Sequence, residues 1–333
     1  MRDTGGTIEM TDLVAALQEQ YGVTVAEIVL LDLGEDAAAR VYRARTVTGA
    51  NLFVKVRLNA LNPASLLVPR ALADAGVPGI IAPRTTRAGT LSVDLAGATL
   101  TVQPFVTGQN GVAAGMTAVQ WRAFGTILHG VHAALIADDL RALLRNETYT
   151  PQDRDGVLAF DATYDEPGGD ELRRALSELW RAERGQIHKL LHQTQTLGAT
   201  LAARGLPQVL CHADCHPWNV MVDDAEQVWL VDWDEVLLAP RERDLMFALG
   251  GIGGDGVTAA SAAAFLTGYG DTPANGDALA YYRAAWAVSD IGAYTAQALG
   301  RFATSDADRR HAITMLHRLF SAEGIVARAL PQT

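Results

Sequence analysis

The sequence predicts an α+β fold of two lobes, an antiparallel sheet with one helix followed by a mainly helical half. Three observations carry this expectation. Apolar positions alternate with a period of two over the first hundred residues, the period becomes 3.6 from Thr117 onward, and one short β hairpin interrupts the helical half between Gln208 and Trp233. At 333 residues and 49% hydrophobic, the chain can bury the core of one large or two moderate domains. The lobe boundary is expected near Pro104, giving residues 1–104 and 105–333.

The elements follow in order. A helix is expected over Asp12–Tyr21, with Leu13, Val14 and Leu17 on one face and Gly22 as its stop. Strands are expected over Glu27–Leu33, Arg40–Val47 and Asn51–Leu58, the last two joined by the hairpin signal Thr48-Gly49-Ala50. A small helix with Ala71, Leu72 and Ala75 ends at Gly76, and further strands cover Ile80–Thr85, Thr90–Leu95 and Thr99–Phe105. In the second half, Trp121, Phe124, Leu128, Val131 and Leu135 share one helical face, and Leu172 to Leu201 trace a much longer helix. Between them Tyr149–Gly169, rich in Asp, Pro and Gly, reads as a loop.

Composition excludes several function classes. No run of about 18 apolar residues occurs, and the opening MRDTGGTIEM lacks the basic-then-apolar pattern of a signal peptide, so a cytoplasmic protein without a membrane span is expected. The net charge of −11 and the lack of a basic cluster argue against nucleic acid as a partner. Cys211 and Cys215 are too few and too close for a disulfide framework.

The densest polar cluster is Cys211-His212-Ala213-Asp214-Cys215-His216-Pro217-Trp218-Asn219, followed by Asp232-Trp233-Asp234-Glu235 at the end of the hairpin. Phosphoryl transfer needs what this cluster offers: a carboxylate to take or orient a hydroxyl proton, oxygen ligands for magnesium, and a cation on the nucleotide. Asp214 fits the first role. Asn219 and Asp232 offer one amide and one carboxylate oxygen, a set suited to Mg²⁺. Lys55, one of two lysines, alternates with apolar neighbours on a strand and supplies the cation, while Gly34 opens a loop whose amides could approach phosphates. Each residue alone has a plainer reading: Lys55 as an edge-strand lysine in solvent, His212 and His216 as structural donors to loop carbonyls. The two cysteines with these histidines also allow zinc, though their spacing matches no common zinc motif.

The run His212-x-Asp214-x-His216-x-x-Asn219, then the hairpin and Val231-Asp232-Trp233-Asp234-Glu235, resembles the aminoglycoside phosphotransferase and choline kinase superfamily. Within it, Leu238-Ala239-Pro240-Arg241-Glu242-Arg243-Asp244-Leu245-Met246-Phe247, Pro104-Phe105 with Asn110-Gly111, and Tyr281-Tyr282-Arg283 with Asp290 are most similar to the spectinomycin phosphotransferase branch. This resemblance implies a two-lobed protein-kinase-like fold with ATP in the cleft. It implies Asp214 as catalytic aspartate, Asn219 and Asp232 as magnesium ligands, Lys55 on phosphate, and Val102, Gln103 and Phe105 in the hinge to the adenine. Glu235, Arg241, Trp286 and Asp290 would line the pocket for a hydroxyl acceptor, most simply an amine-bearing aminocyclitol such as spectinomycin.

One departure stands out. Kinases pair the nucleotide lysine with a small-lobe glutamate, yet no acidic residue lies between Lys55 and Asp74, and Pro69 falls within the expected helix. That leaves open a kinase-like binding protein that has lost catalysis, beside a kinase for choline, a sugar or homoserine.

Overall fold

The computed structural model describes residues 9–31, 39–58, 60–270, 273–303 and 305–330. Gly34 and the loop it opens lie outside the described residues. Helix α1 (Met10–Tyr21) precedes strands β1 (Val25–Leu31), β2 (Ala39–Thr46) and β3 (Asn51–Arg57); helix α2 (Ala64–Asp74) follows, then β4 (Ser92–Leu95) and β5 (Ala98–Pro104). The five strands form one antiparallel sheet in the order β1-β2-β3-β5-β4. Alternation decides its faces. Leu52, Val54 and Val56 of β3 and Leu100 and Val102 of β5 pack with Leu13 and Leu17 of α1 on the outer face, which leaves Lys55 and Arg57 for the inner one.

The expected strand Ile80–Thr85 does not form. Only Ile80 makes a bridge, to Leu230 of the second lobe, where the Leu230 amide also donates to the Gly79 carbonyl at 2.8 Å. This segment runs between the lobes: Ile80 joins the far hairpin, while the Arg84 amide donates to the Val102 carbonyl of β5 at 2.8 Å. Helix α2 starts well before its expected apolar stretch and carries Pro69 inside it, so the proline neither delays nor ends the helix. Its flanking turns carry the local bonds Ser65 Oγ to Asn62 O and Ala64 N to Asn62 Oδ1.

The second lobe opens with β6 (Gly108–Asn110) and α3 (Gly111–Ala114), then α4 (Ala118–Ala133), α5 (Asp138–Arg141), β7 (Arg145–Asn146), α6 (Arg154–Asp161) and the 34-residue α7 (Glu171–Arg204). Strand β8 (Val209–Cys211), a 3₁₀ turn at Pro217–Asn219, and the hairpin β9 (Val220–Asp223) and β10 (Val228–Leu230) come next. Strand β11 (Leu237–Ala239) and helices α8 (Glu242–Ala248), α9 (Ala259–Tyr269), α10 (Gly276–Ala298), α11 (Asp306–Leu319) and α12 (Ile325–Ala329) complete the chain. Two expectations are corrected here. Leu135 lies beyond the end of α4 and is fully exposed, and α6 forms inside the stretch read as a loop because Val157 and Phe160 bury against α7 and α10.

Helix α4 is the backbone of this lobe. Its capping box at Thr117 and Gln120 fixes the start, and Trp121, Phe124, Leu128 and Val131 face the core. Against it α9 packs backbone to backbone: a methyl at Gly125 would strike the Phe265 carbonyl, and one at Gly268 the Arg122 carbonyl. Gly125→Ala or Gly268→Ala should therefore force the helices apart and cost about 1–3 kcal/mol, read as a melting temperature several degrees lower. Gly276→Ala, at a site with open space, is the matched control.

Candidate functional site

Four pieces of chain meet where the lobes face each other. Strand β3 brings Lys55 and Arg57, the loop after β8 brings Asp214, the 3₁₀ turn brings Asn219, and the residues after β10 bring Asp232, Asp234 and Glu235. The hairpin accounts for the convergence: Leu230 pairs with Val220, and the Val231 amide donates to the Asn219 carbonyl at 3.0 Å, so Asn219 and Asp232 leave adjacent strand ends.

The Asp214 carboxylate accepts from Asn219 Nδ2 at 2.9 Å on Oδ2 and faces His216 Nε2 at 3.2 Å on Oδ1. A second bond, from Asn219 Nδ2 to the Asp214 carbonyl at 2.8 Å, locks the loop to the turn. Because the amide nitrogen of Asn219 is committed, its oxygen is the atom left to serve as a ligand. His212 is fully buried; its Nε2 donates to the Val231 carbonyl at 3.0 Å and its Nδ1 accepts from the Asp214 amide at 3.2 Å. Burial pushes both His212 and His216 down to about 4, so each is a neutral ring. The structural reading of His212 holds.

Beneath the loop lies Asp244, which sequence reasoning quoted without giving it a role. Its carboxylate takes the amides of His212 at 2.8 Å and Ala213 at 2.7 Å, and His132 Nε2 at 3.0 Å. Ala213 sits at a φ of 69°, a conformation that a non-glycine residue keeps only under such restraint. A charged residue directly before the apolar run Leu245-Met246-Phe247 was the available signal.

The acidic groups divide sharply. Burial, then the neighbouring Asp232 charge, raise Asp214 to about 8. Burial also lifts Asp232, to about 6, against the pull of Lys55, although its side chain keeps 45% of its exposure along the cleft. Asp234 goes the other way: burial opposes its charge, but Lys55 and Arg57 together bring it to about 2. Lys55 Nζ is 3.1 Å from Asp234 Oδ2 and 3.8 Å from Asp232 Oδ1, and Arg57 Nη2 contacts the same Asp234 oxygen. The lysine without a small-lobe glutamate thus takes a carboxylate from the other lobe. Arg57, missed in the sequence, stands two residues along the same strand, where alternation alone places it beside Lys55.

The remaining expected residues are spread more widely. Thr101 and Gln103 share the inner face with Lys55, whereas the Val102 side chain is buried in the outer core and its carbonyl takes the Arg84 amide at 2.8 Å. Phe105 lines a cavity of about 440 Å³ with Ile80, Pro104 and Trp229, which touches neither Lys55 nor Asp214 and is therefore not where phosphate would meet a hydroxyl. Glu235 pairs with Arg145 at 2.9 Å and adds to the negative field at Asp214. Trp286 meets Phe247 edge-on at 5.0 Å and His216 at 6.4 Å between ring centroids, with the Arg243 guanidinium 5.1 Å over its ring. Asp290 follows one turn later on α10, half-buried. Arg241 is turned elsewhere, donating to the Pro273 carbonyl at 2.6 Å and lying 3.5 Å from Glu242.

The zinc arrangement does not assemble. The Cys211 thiol points to the Ala239 and Pro240 carbonyls and Cys215 to that of Asp244, and burial raises both thiols. Among the described residues the one grouping at ligand distances is His132, Cys211 and Asp244, whose histidine and carboxylate are already bonded to each other and to the loop.

Asp214, whose proton affinity burial and then Asp232 raise, the Asn219 amide and Lys55 thus meet in one cleft. The sequence pattern of the phosphotransferase enzyme family matches residues 29–282. The chain belongs to that family. This phosphotransferase is similar over 97% of its length to a crystal structure of spectinomycin phosphotransferase with ADP and spectinomycin, which it matches over 98% of that chain at 28% identity and a TM-score of 0.88. An amicoumacin kinase structure with AMP-PNP and Ca²⁺ shares the fold at 14% identity and a TM-score of 0.63, each chain covered to 95%. So does a choline kinase from Streptococcus pneumoniae, at 14% identity and 0.54, covering 92% of this chain and 98% of that one. No curated protein matches the sequence. The phosphotransferase is a small-molecule kinase, and no helix among its described residues is long and apolar enough to cross a membrane.

The elevated Asp214 has a consequence for stability. Its folded-state affinity for a proton exceeds that of the unfolded chain, so the folded state binds more protons between about pH 4 and pH 8, and stability falls as pH rises through that window. Asp214→Asn removes the penalty. It should stabilise the protein at pH 8 by about 1–2 kcal/mol, roughly a few degrees of melting temperature, with the gain vanishing near pH 4. Melting curves across this range check the sign, and an Asn variant that is less stable at pH 8 would contradict the assigned cause.

Proposed function

We propose that the chain transfers the γ-phosphoryl group of ATP, with Mg²⁺, to a hydroxyl of an aminocyclitol or aminoglycoside antibiotic, spectinomycin being the leading acceptor. The observation that carries this is the Asp214–Asn219–Asp232 cluster facing Lys55, with a 28%-identical structure that holds ADP and spectinomycin. Asp214 is the base that orients and accepts the hydroxyl proton. Its high proton affinity suits that task, because a nearby dication would lower it and leave a carboxylate able to take a proton.

The donor set fits magnesium. Asn219 and Asp232 would hold it through hard oxygens, and Asp232, 3.8 Å from Lys55, keeps 45% of its side chain exposed along the cleft. At that site a divalent ion would supply positive charge against the phosphates. Lys55 binds phosphate oxygens, and Gln103 with Phe105 marks the connection along which a base would lie. Glu235 and Asp290 supply negative charge for the amines of the acceptor, and Trp286 an apolar wall beside His216. The carboxylate on Lys55 removes the reason for reading the missing glutamate as lost catalysis.

Incubation with ATP, Mg²⁺ and a panel of aminocyclitols, choline and homoserine should add one phosphate to an aminocyclitol, seen by mass spectrometry. Phosphate on choline or homoserine alone would reassign the acceptor. Asp214→Asn should cut turnover by a factor of about 10²–10⁴ and leave ATP affinity within about twofold. Asp232→Ala should abolish the magnesium dependence of ATP binding, and an unchanged dependence in a titration would refute its place as a ligand.

A further inference from the structure

Strand β3 directs two cations at one anion. Lys55 pairs with Thr101 and Arg57 with Thr99 across β5, so both side chains leave the same face of the sheet. Both end on the same oxygen, Oδ2 of Asp234, which comes from the other lobe. Arg57 is 8% exposed, and a guanidinium so buried persists only beside a counter-charge. Its planar fork also fixes a carboxylate more firmly than a flexible lysine stem can. Lysine is the opposite case: four rotatable bonds let the ammonium wander unless an anion holds it. The helix that would carry such an anion, α2, has no acidic residue in its first turn.

We propose that Arg57 is a positioning residue for phosphoryl transfer: it clamps Asp234 against β3, and Asp234 in turn aims Lys55 at the nucleotide phosphates, a task for which α2 carries no acidic residue in its first turn. The inference rests on the phosphotransferase reading of the cleft. It assigns Arg57 no contact with ATP. Two rival roles make different demands. An Arg57 that bound phosphate directly would act independently of Asp234, and one that merely stapled the lobes would change stability without changing nucleotide affinity.

The test is calorimetric titration of ATP with Mg²⁺, paired with steady-state kinetics. Arg57→Met should weaken ATP binding and raise its KM by about tenfold, while kcat changes by less than about threefold. Arg57→Lys, which keeps the charge but not the planar fork, should recover only part of the affinity. In the Asp234→Asn background, Arg57→Met should weaken ATP binding no further, because the proposed clamp on Lys55 runs through that carboxylate. Unchanged affinity in Arg57→Met, or effects of the two substitutions that multiply, would overturn the proposal. If Arg57→Met does not fold, Asp234→Asn alone decides, and wild-type ATP affinity there overturns it. Wild-type protein that takes up no ATP overturns the phosphotransferase reading and this inference with it. Wild-type binding matched by Arg57→Met overturns only the inference.

Discussion

The geometry of the cleft depends on one carboxylate that solvent does not reach. Asp244 is fully buried, and an ion there would be expelled or neutralised unless every lone pair had a donor. His132 and the amides of His212 and Ala213 supply those donors, and against the cost of burial they hold its pKa below the usual carboxylate range. The return is geometric. Two consecutive amides bound to one side chain fix the peptide just before Asp214, and the strained Ala213 backbone follows from that grip. His132 sits on α4, so the helix that organises the lobe also sets the loop, and the Tyr269 hydroxyl, 2.7 Å from its other ring nitrogen, ties α9 to the same point.

Above this fixed loop, charge is arranged by difference. Asp214 and Asp232 lie close enough to repel, and both hold protons more tightly than an exposed aspartate. Asp234, two residues from Asp232, is held firmly ionised by Lys55 and Arg57. Carboxylates whose environments drive their acidities apart mark a division of labour. The first two are poised for a cation and a proton, the third for a permanent bridge between lobes. Such a bridge is strong only because it is sheltered; the exposed pair of Arg145 and Glu235 contributes much less.

Beside Asp214 stands a cluster of aromatic edges. Phe247, Trp286 and His216 meet at steep angles, with Arg243 over the outer rings. The Trp286 and His216 rings each keep one buried nitrogen, Nε1 and Nδ1, without a hydrogen-bond partner among the described residues. The wall is thus apolar in area and polar at two points, a combination that selects by orientation as well as by size.

Much of this was legible in the sequence. Alternation gave the antiparallel sheet and put Lys55 on a strand; spacing put Asp214, Asn219 and Asp232 at the ends of a hairpin, because strand pairing leaves few ways to join short β runs across a tight turn. Local periodicity failed where distant packing decides: Ile80 was drawn to Leu230, α6 formed from a stretch of turn residues, and Leu135 fell outside its helix. The antiparallel first half, the helical second half and the hairpin that joins Asn219 to Asp232 were determined by the sequence alone, since they rest on neighbours within a few residues. The partner of Lys55, the burial of Asp244 and the split among the aspartates were decided only by the tertiary structure. Each is an electrostatic balance between groups as much as 179 residues apart, and no local pattern encodes which charges will share a low-dielectric space.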